Sequence, residues 1–242
     1  MGSAPTPFIC IDMPVIERQH TPSPTGKQVT DLIASTTGQA RMLCILEAAT
    51  GLRVGELSAL QVEHFVGRVL VIEQTVWKGQ VRRGQGKSKH FLRQIDLHSS
   101  VATLLREFIG ERKEGFIFRT RNGTAIHQSN FLRRHLHPVL EKLGIEKQGF
   151  HGFRRFRVTH LESNYVPRAL VQYWTGHAKP GDGEIVPISV TDKYVKMDKG
   201  TAFRAEVAER IGLGFELPKA ETVEVVPNVP RIAVEVPVGN LP

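Results

Sequence analysis

The sequence predicts a mostly helical α+β domain carrying a small antiparallel sheet at one side. Three observations lead there. Between Gly26 and Gly212 most of the chain repeats its apolar residues at the spacing of amphipathic helices. Two runs, Val69–Trp77 and His90–Leu97, are instead rich in strand-forming residues, with turn glycines at positions 79, 84 and 86 between them. Hydrophobic residues make up 40% of the 242, enough for a sizeable core.

The elements follow in order. Residues 1–24, rich in Pro, Ser and Thr, lack periodicity and read as a linker or tail. Lys27–Ser35 and Gln39–Thr50 are helical, the second stopped by Gly51, and a short helix is expected over Arg53–Leu60. The two strand-like runs are expected to form one hairpin, with Lys87 at or near its second bend. Helices resume over Ser99–Gly110. A short strand at Gly115–Phe118 and a turn at Arg121–Thr124 then lead into a helix over Asn130–Gly144. Three more helices are expected over Gly152–Ser163, Pro167–Trp174 and Thr201–Gly212. Residues 214–242 alternate Val with Pro and Glu and read as an acidic, extended tail, which leaves 25–213 as the folded domain.

Charge narrows the partners. The chain carries a formal +8, and residues 215–242 hold four Glu against Lys219 and Arg231, so the excess on the folded part is larger still. A basic domain of this kind points to a polyanion, and nucleic acid first. Two cysteines, Cys10 and Cys44, are too few for a disulfide framework or a zinc ribbon. The ten histidines form no HExxH, and His135-Leu136-His137 reads as a helix face rather than a metal site. No apolar run approaches the ~18 residues that span a membrane, and the N-terminus has no secretory pattern, so a cytoplasmic protein is expected.

Gly86-Lys87-Ser88 invites a nucleotide-binding reading, but Val81 stands where the phosphate loop needs its first glycine, and a strand-like run follows instead of a helix. The remaining polar residues arrange differently. In "TGLRVGEL", Glu56 falls three residues after Arg53 on the same helix face, where a carboxylate can stiffen an arginine for gripping a phosphate. In "HGFRRFRVTHL", Phe153, Phe156 and His160 share one helix side and His151, Arg154, Arg155 and Val158 the other. His177 follows a glycine at an expected helix end, and Tyr194 sits in the polar stretch "VTDKYVKM".

This ordered set resembles the catalytic domain of the tyrosine recombinases, the phage integrase family. The resemblance covers roughly Gly26 to Gly212, and "ATGLRVGEL" is its most specific piece, with "HGFR", "GH" and the lysine-bearing "GKSKHFLRQIDL" in the expected order. It implies catalytic roles for Arg53, Lys87, His151, Arg154, His177 and Tyr194, support from Glu56, and DNA contacts from Lys89 and Arg155. Tyr194 would attack a backbone phosphate and hold the 3′ side covalently, with no cofactor, metal or ATP. Arg53, Arg154 and a histidine would stabilise the charge gained by the non-bridging oxygens, and Lys87 would protonate the leaving 5′ oxygen. His151 is the expected base and His177 the expected phosphate ligand. Lys89, two residues on, is the alternative acid. The implied partner is double-stranded DNA, bound by a homo-multimer. A type IB topoisomerase-like enzyme and a DNA-binding relative without catalysis are the alternatives. The family's DNA-clamping helical domain has no counterpart in residues 1–24.

Overall fold

The computed structural model describes residues 23–84, 92–176 and 199–218. Helix α1 (Gly26–Ala34) opens on a capping box: the Thr25 hydroxyl accepts from the Gln28 N–H at 3.2 Å, and the Gln28 side chain accepts from the Thr25 N–H at 2.8 Å. Helix α2 (Gly38–Thr50) is buried along its whole second half and packs on α1, on α4 (Ser99–Ile109) and on α7 (Phe150–Ser163). It is the centre of the core, which explains why apolar residues surround it instead of forming a stripe. Gly51 ends it in the left-handed region at φ 62°, where a Cβ would also meet the Arg157 Cβ at 3.2 Å.

Helix α3 (Val54–Ala59) follows and buries Leu57, with Leu60 buried just beyond it. The sheet region departs from the single hairpin expected. β1 (Phe65–Val66), β2 (Val69–Ile72) and β5 (Arg93–Asp96) form one antiparallel sheet in the order β1-β2-β5, with Val69 opposite Asp96 and Ile72 opposite Arg93. β3 (Gln74–Trp77) and β4 (Gln80–Arg83) form a separate ribbon. Its two-residue turn, Lys78-Gly79, has φ 48° and 78°, the pair of positive values that matches strand twist in a tight hairpin. The run Val69–Trp77 therefore divides at Glu73, because its second half finds a partner across that turn before β5 arrives.

Two other expectations change. Gly115–Phe118 is not a strand. It makes an isolated bridge between Gln61 and Phe116, and Ile117 and Phe118 are buried by packing. The helix over Asn130–Gly144 is broken into α5 (Gln128–Phe131), a π turn over Leu132–Leu136 and α6 (His137–Lys142). Pro138 lacks the N–H that a continuous α-helix would aim at the Arg134 carbonyl, and the wider turn absorbs the mismatch.

Helix α7 leads to α8 (Arg168–Thr175), and α9 (Thr201–Arg210) docks against β5. The fully buried Arg204 of α9 donates to Asp96 of β5 at 2.7 Å and lies over the Tyr173 ring, while Trp174 Nε1 donates to the same carboxylate at 3.1 Å. Past residue 213 the chain stays packed. Phe215 is buried against Phe156, and the Glu216 N–H donates to the Thr30 hydroxyl at 3.0 Å. The folded part thus runs beyond the boundary that composition suggests at 214.

Candidate active site

The site is built around the end of α8. The last carbonyls of any helix lack partners within it and carry the negative end of its dipole. Here three consecutive ones each accept from a different arginine. Arg93 Nε reaches the Trp174 carbonyl at 3.0 Å, Arg154 Nη2 the Thr175 carbonyl at 2.6 Å, and Arg53 Nη2 the Gly176 carbonyl at 2.8 Å. Gly176 is needed in this position twice over. Its φ is 63°, and a Cβ would come within 2.8 Å of the Arg93 guanidinium carbon.

Glu56 joins two of these arginines. Its carboxylate accepts from Arg93 Nη1 at 3.1 Å and Nη2 at 2.7 Å, a bidentate pair in which both side chains are only 1% exposed. It also accepts from Arg53 Nη1 at 3.2 Å and, reaching back over the start of α3, from the Arg53 N–H at 3.0 Å. Burial alone would raise the Glu56 carboxyl, but the hydrogen bonds and charge of Arg93, and then those of Arg53, hold it below the ordinary carboxylate value. Glu56 is therefore a buried carboxylate shared by two arginines, not the exposed helix pair that its spacing with Arg53 also allows.

Arg154 is buried as well. Its Nη1 donates to the Gly51 carbonyl at 2.7 Å, so the guanidinium bridges the ends of α2 and α8. Burial, and after it the charge of Arg53, lowers its pKa to about 10. On the helix wheel Arg154 shares a face with His151, and the structure separates them. Arg154 is enclosed and His151 is exposed one turn earlier on α7. Partial burial lowers the His151 pKa below its ordinary 6.5, helped by the charges of Arg154, Arg155 and Arg53. The shift favours the neutral imidazole near pH 7. Arg155 is half-buried on the same helix.

The expected site residues divide accordingly. Arg53, Glu56, Arg154 and His151 are gathered at one place. Lys87, Lys89, His177 and Tyr194 lie outside the described residues. Of the other two tyrosines, Tyr173 is occupied, its hydroxyl oxygen accepting from the Gln94 N–H at 3.1 Å, and Tyr165 is exposed beyond the far end of α7. A groove of about 700 Å³ opens beside Arg53 and Gly55, walled by the β3–β4 ribbon with Trp77, Lys78 and Arg82 on one side and His127–Ser129 on the other. Among the described residues no cluster of His, Cys, Asp or Glu could hold a metal ion, and no helix is long and apolar enough to cross a membrane.

Sequence reasoning missed Arg93. A signal existed: Arg93 and Ile95 fall on the same face of β5, and Ile95 points into the core. A charged side chain at such a position requires a buried partner.

The fold and this cluster define a mostly helical domain that holds three guanidinium groups clamped on the carbonyls at one helix end. The sequence pattern of the phage integrase family matches residues 25–196, and the chain belongs to that family. An integrase of Staphylococcus phage L54a is 27% identical over 167 residues, which cover 61% of this chain and 47% of that protein, so the chain spans about half the length of that relative. Among solved structures, the Tn1549 transposon integrase, in complex with a circular intermediate DNA, is similar over 80% of this chain and 69% of its own, with a TM-score of 0.58 and 17% identity. An integrase from mycobacterium phage Brujita is similar over 85% of this chain and 63% of its own, also at TM-score 0.58 and 17% identity. The XerA recombinase gives 0.53 at 18% identity, over 79% and 64% of the two chains. At these identities the structures establish the shared fold.

Proposed function

We propose that this chain is the catalytic part of a site-specific DNA recombinase, cutting and rejoining duplex DNA through a 3′-phosphotyrosyl intermediate. The observation that carries the reading is the set of arginines on the Trp174–Gly176 carbonyls, one residue before His177. Each guanidinium has part of its donor fork tied to backbone, which fixes where the rest can point. Arg53 and Arg154 would receive the two non-bridging oxygens of the scissile phosphate. Fixed donors of this kind need no reorganisation as the pentacoordinate state gains charge.

The other roles follow from residue chemistry. Neutral His151 would take the proton from Tyr194 as its oxygen attacks phosphorus. The bond to the 5′ oxygen then breaks, and Lys87, or Lys89 in its place, would give that oxygen its proton. His177 would hydrogen-bond the phosphate. The exposed Lys78, Arg82 and Arg83 of the ribbon, together with Arg155 and Lys89, would contact the DNA backbone, with the binding weakened steeply by salt. The protein would act in the cytoplasm as a homo-multimer on its DNA. Charge on the arginines is as well suited to relaxing supercoils, and the phage relative named above favours integration.

The test is a covalent adduct. Incubation with duplex DNA carrying its target site, followed by denaturation, should leave a protein–DNA species that Tyr194→Phe abolishes and Tyr173→Phe retains. An adduct that survives Tyr194→Phe would assign the nucleophile elsewhere.

A further inference from the structure

Behind Arg154 lies a second carboxyl that no step above uses. Glu47, in the last turn of α2, is 0% exposed, and both its carboxyl oxygens are unpartnered among the described residues. Its backbone carbonyl accepts from the Gly51 N–H at 2.7 Å, and the Gly51 carbonyl accepts from Arg154, so one residue links both. The charged groups acting on the Glu47 carboxyl are Arg154 of α7 and Glu56 of α3, and Cys44 on its own helix is a buried thiol within its reach. Arg157, also buried on α7, donates to the Gly212 carbonyl at 3.3 Å. From α1 and α4, the other helices packed on α2, only apolar side chains are buried.

Charge balance gives this residue its interest. Glu56 supplies one negative charge against the three arginines Arg53, Arg93 and Arg154, which leaves the cluster a net +2 for a phosphate. A phosphodiester carries one negative charge and approaches two in its pentacoordinate state. An ionised Glu47 would cancel part of what that state needs. A buried carboxylate without hydrogen bonds is costly, and such a group takes up a proton instead. Burial accordingly raises the Glu47 carboxyl well above its ordinary value; Arg154 opposes the rise and Glu56 adds to it.

We propose that Glu47 is a positioning residue that sets the charge of the phosphate-binding arginines from behind: as a neutral acid it leaves Arg154 free for the phosphate, and as a carboxylate it draws that charge away. The inference rests on the recombinase reading for its catalytic consequence, but not for its effect on anion binding. It also makes anion binding and proton uptake by Glu47 mutually favourable.

The test compares the wild-type chain with Glu47→Gln, which keeps the shape and cannot ionise, and with Glu47→Met as a second variant. Sulfate, a dianion throughout pH 6–9.5, stands in for the phosphate, and its affinity is read by calorimetry. At pH 6 all three proteins should bind alike. By pH 9.5 both variants should bind about a hundredfold more tightly than wild type, as expected for one charge removed at ~10 Å from a dianion through an effective dielectric near 20. The rate of adduct formation should diverge in the same direction, since titration of Tyr194 or Lys87 affects all three equally. A variant-to-wild-type ratio that stays flat across the range overturns the proposal. A gain confined to one of the two variants also overturns it, since packing would then be the cause. Divergent sulfate binding with no adduct from any of the three would support the proposal while removing the recombinase reading.

Discussion

Replacing Arg93 with Met should destabilise the domain by about 3–5 kcal/mol, the usual cost of removing one partner from a buried ion pair. The structure supplies the reason for the upper half of that range. Arg93 gives two hydrogen bonds to Glu56 and one to the Trp174 carbonyl, at 3.1, 2.7 and 3.0 Å, and neither charged side chain is more than 1% exposed. In the variant Glu56 keeps only Arg53. For a chain of this size the loss corresponds to a fall in Tm of roughly 6–20 °C. Urea denaturation at pH 7 measures it directly. Adding Glu56→Leu to Arg93→Met should recover part of the loss, because the stranded carboxylate is then gone. The effect has a pH signature. A carboxyl held below its ordinary value stabilises the fold above its unfolded pKa and loses that contribution as pH falls through its folded pKa. Glu56 is such a group, so the gap between wild type and Arg93→Met should shrink on acidification below the ordinary carboxylate range. A loss under about 1 kcal/mol, or strictly additive single and double variants, would refute the shared-carboxylate account.

Further predictions address the rest of the site. Gly176→Ala should cost at least about 1–2 kcal/mol from its left-handed backbone alone, and more from the Cβ pressed to 2.8 Å against Arg93; unchanged urea stability would contradict this. The acid limb of adduct formation should have its midpoint below 6.5, since His151 must be neutral to act and its pKa is lowered. His151→Gln should remove that limb, and a midpoint above 6.5 would take the base role away from it. Lys87→Ala should cleave ordinary DNA slowly, yet cleave a strand with sulfur at the bridging 5′ position near the wild-type rate, because a thiolate leaves without a proton. Rescue of Lys89→Ala instead would move the acid by two residues, and rescue of neither would leave the hairpin with a binding role only.

Much of this was legible in local pattern. Helix periods, the Gly51 stop and the Phe153–Phe156 anchor all depend on residues within a turn or two of one another, where spacing in sequence is spacing in space. So does the Arg53–Glu56 contact. The ordered set of Arg, Lys, His-x-x-Arg, Gly-His and Tyr was enough to name the family. Pattern went wrong where two local choices competed. The Lys78–Gly79 turn divided a strand-like run that composition leaves continuous, and Pro138 widened a helix that periodicity leaves regular.

Only tertiary structure decided how the arginines are held. Arg93 and Glu56 stand 37 residues apart, and Arg53 reaches a carbonyl 123 residues away. No periodicity encodes such a meeting. It arises because the end of α8 presents three unsatisfied carbonyls inside a core that excludes water, and guanidinium groups with fixed forks are the side chains able to satisfy them. The same burial turned Glu56 into a shared carboxylate and pushes the Glu47 carboxyl above its ordinary value, because the cost of an ionised group is set by what surrounds it and not by its neighbours in the chain.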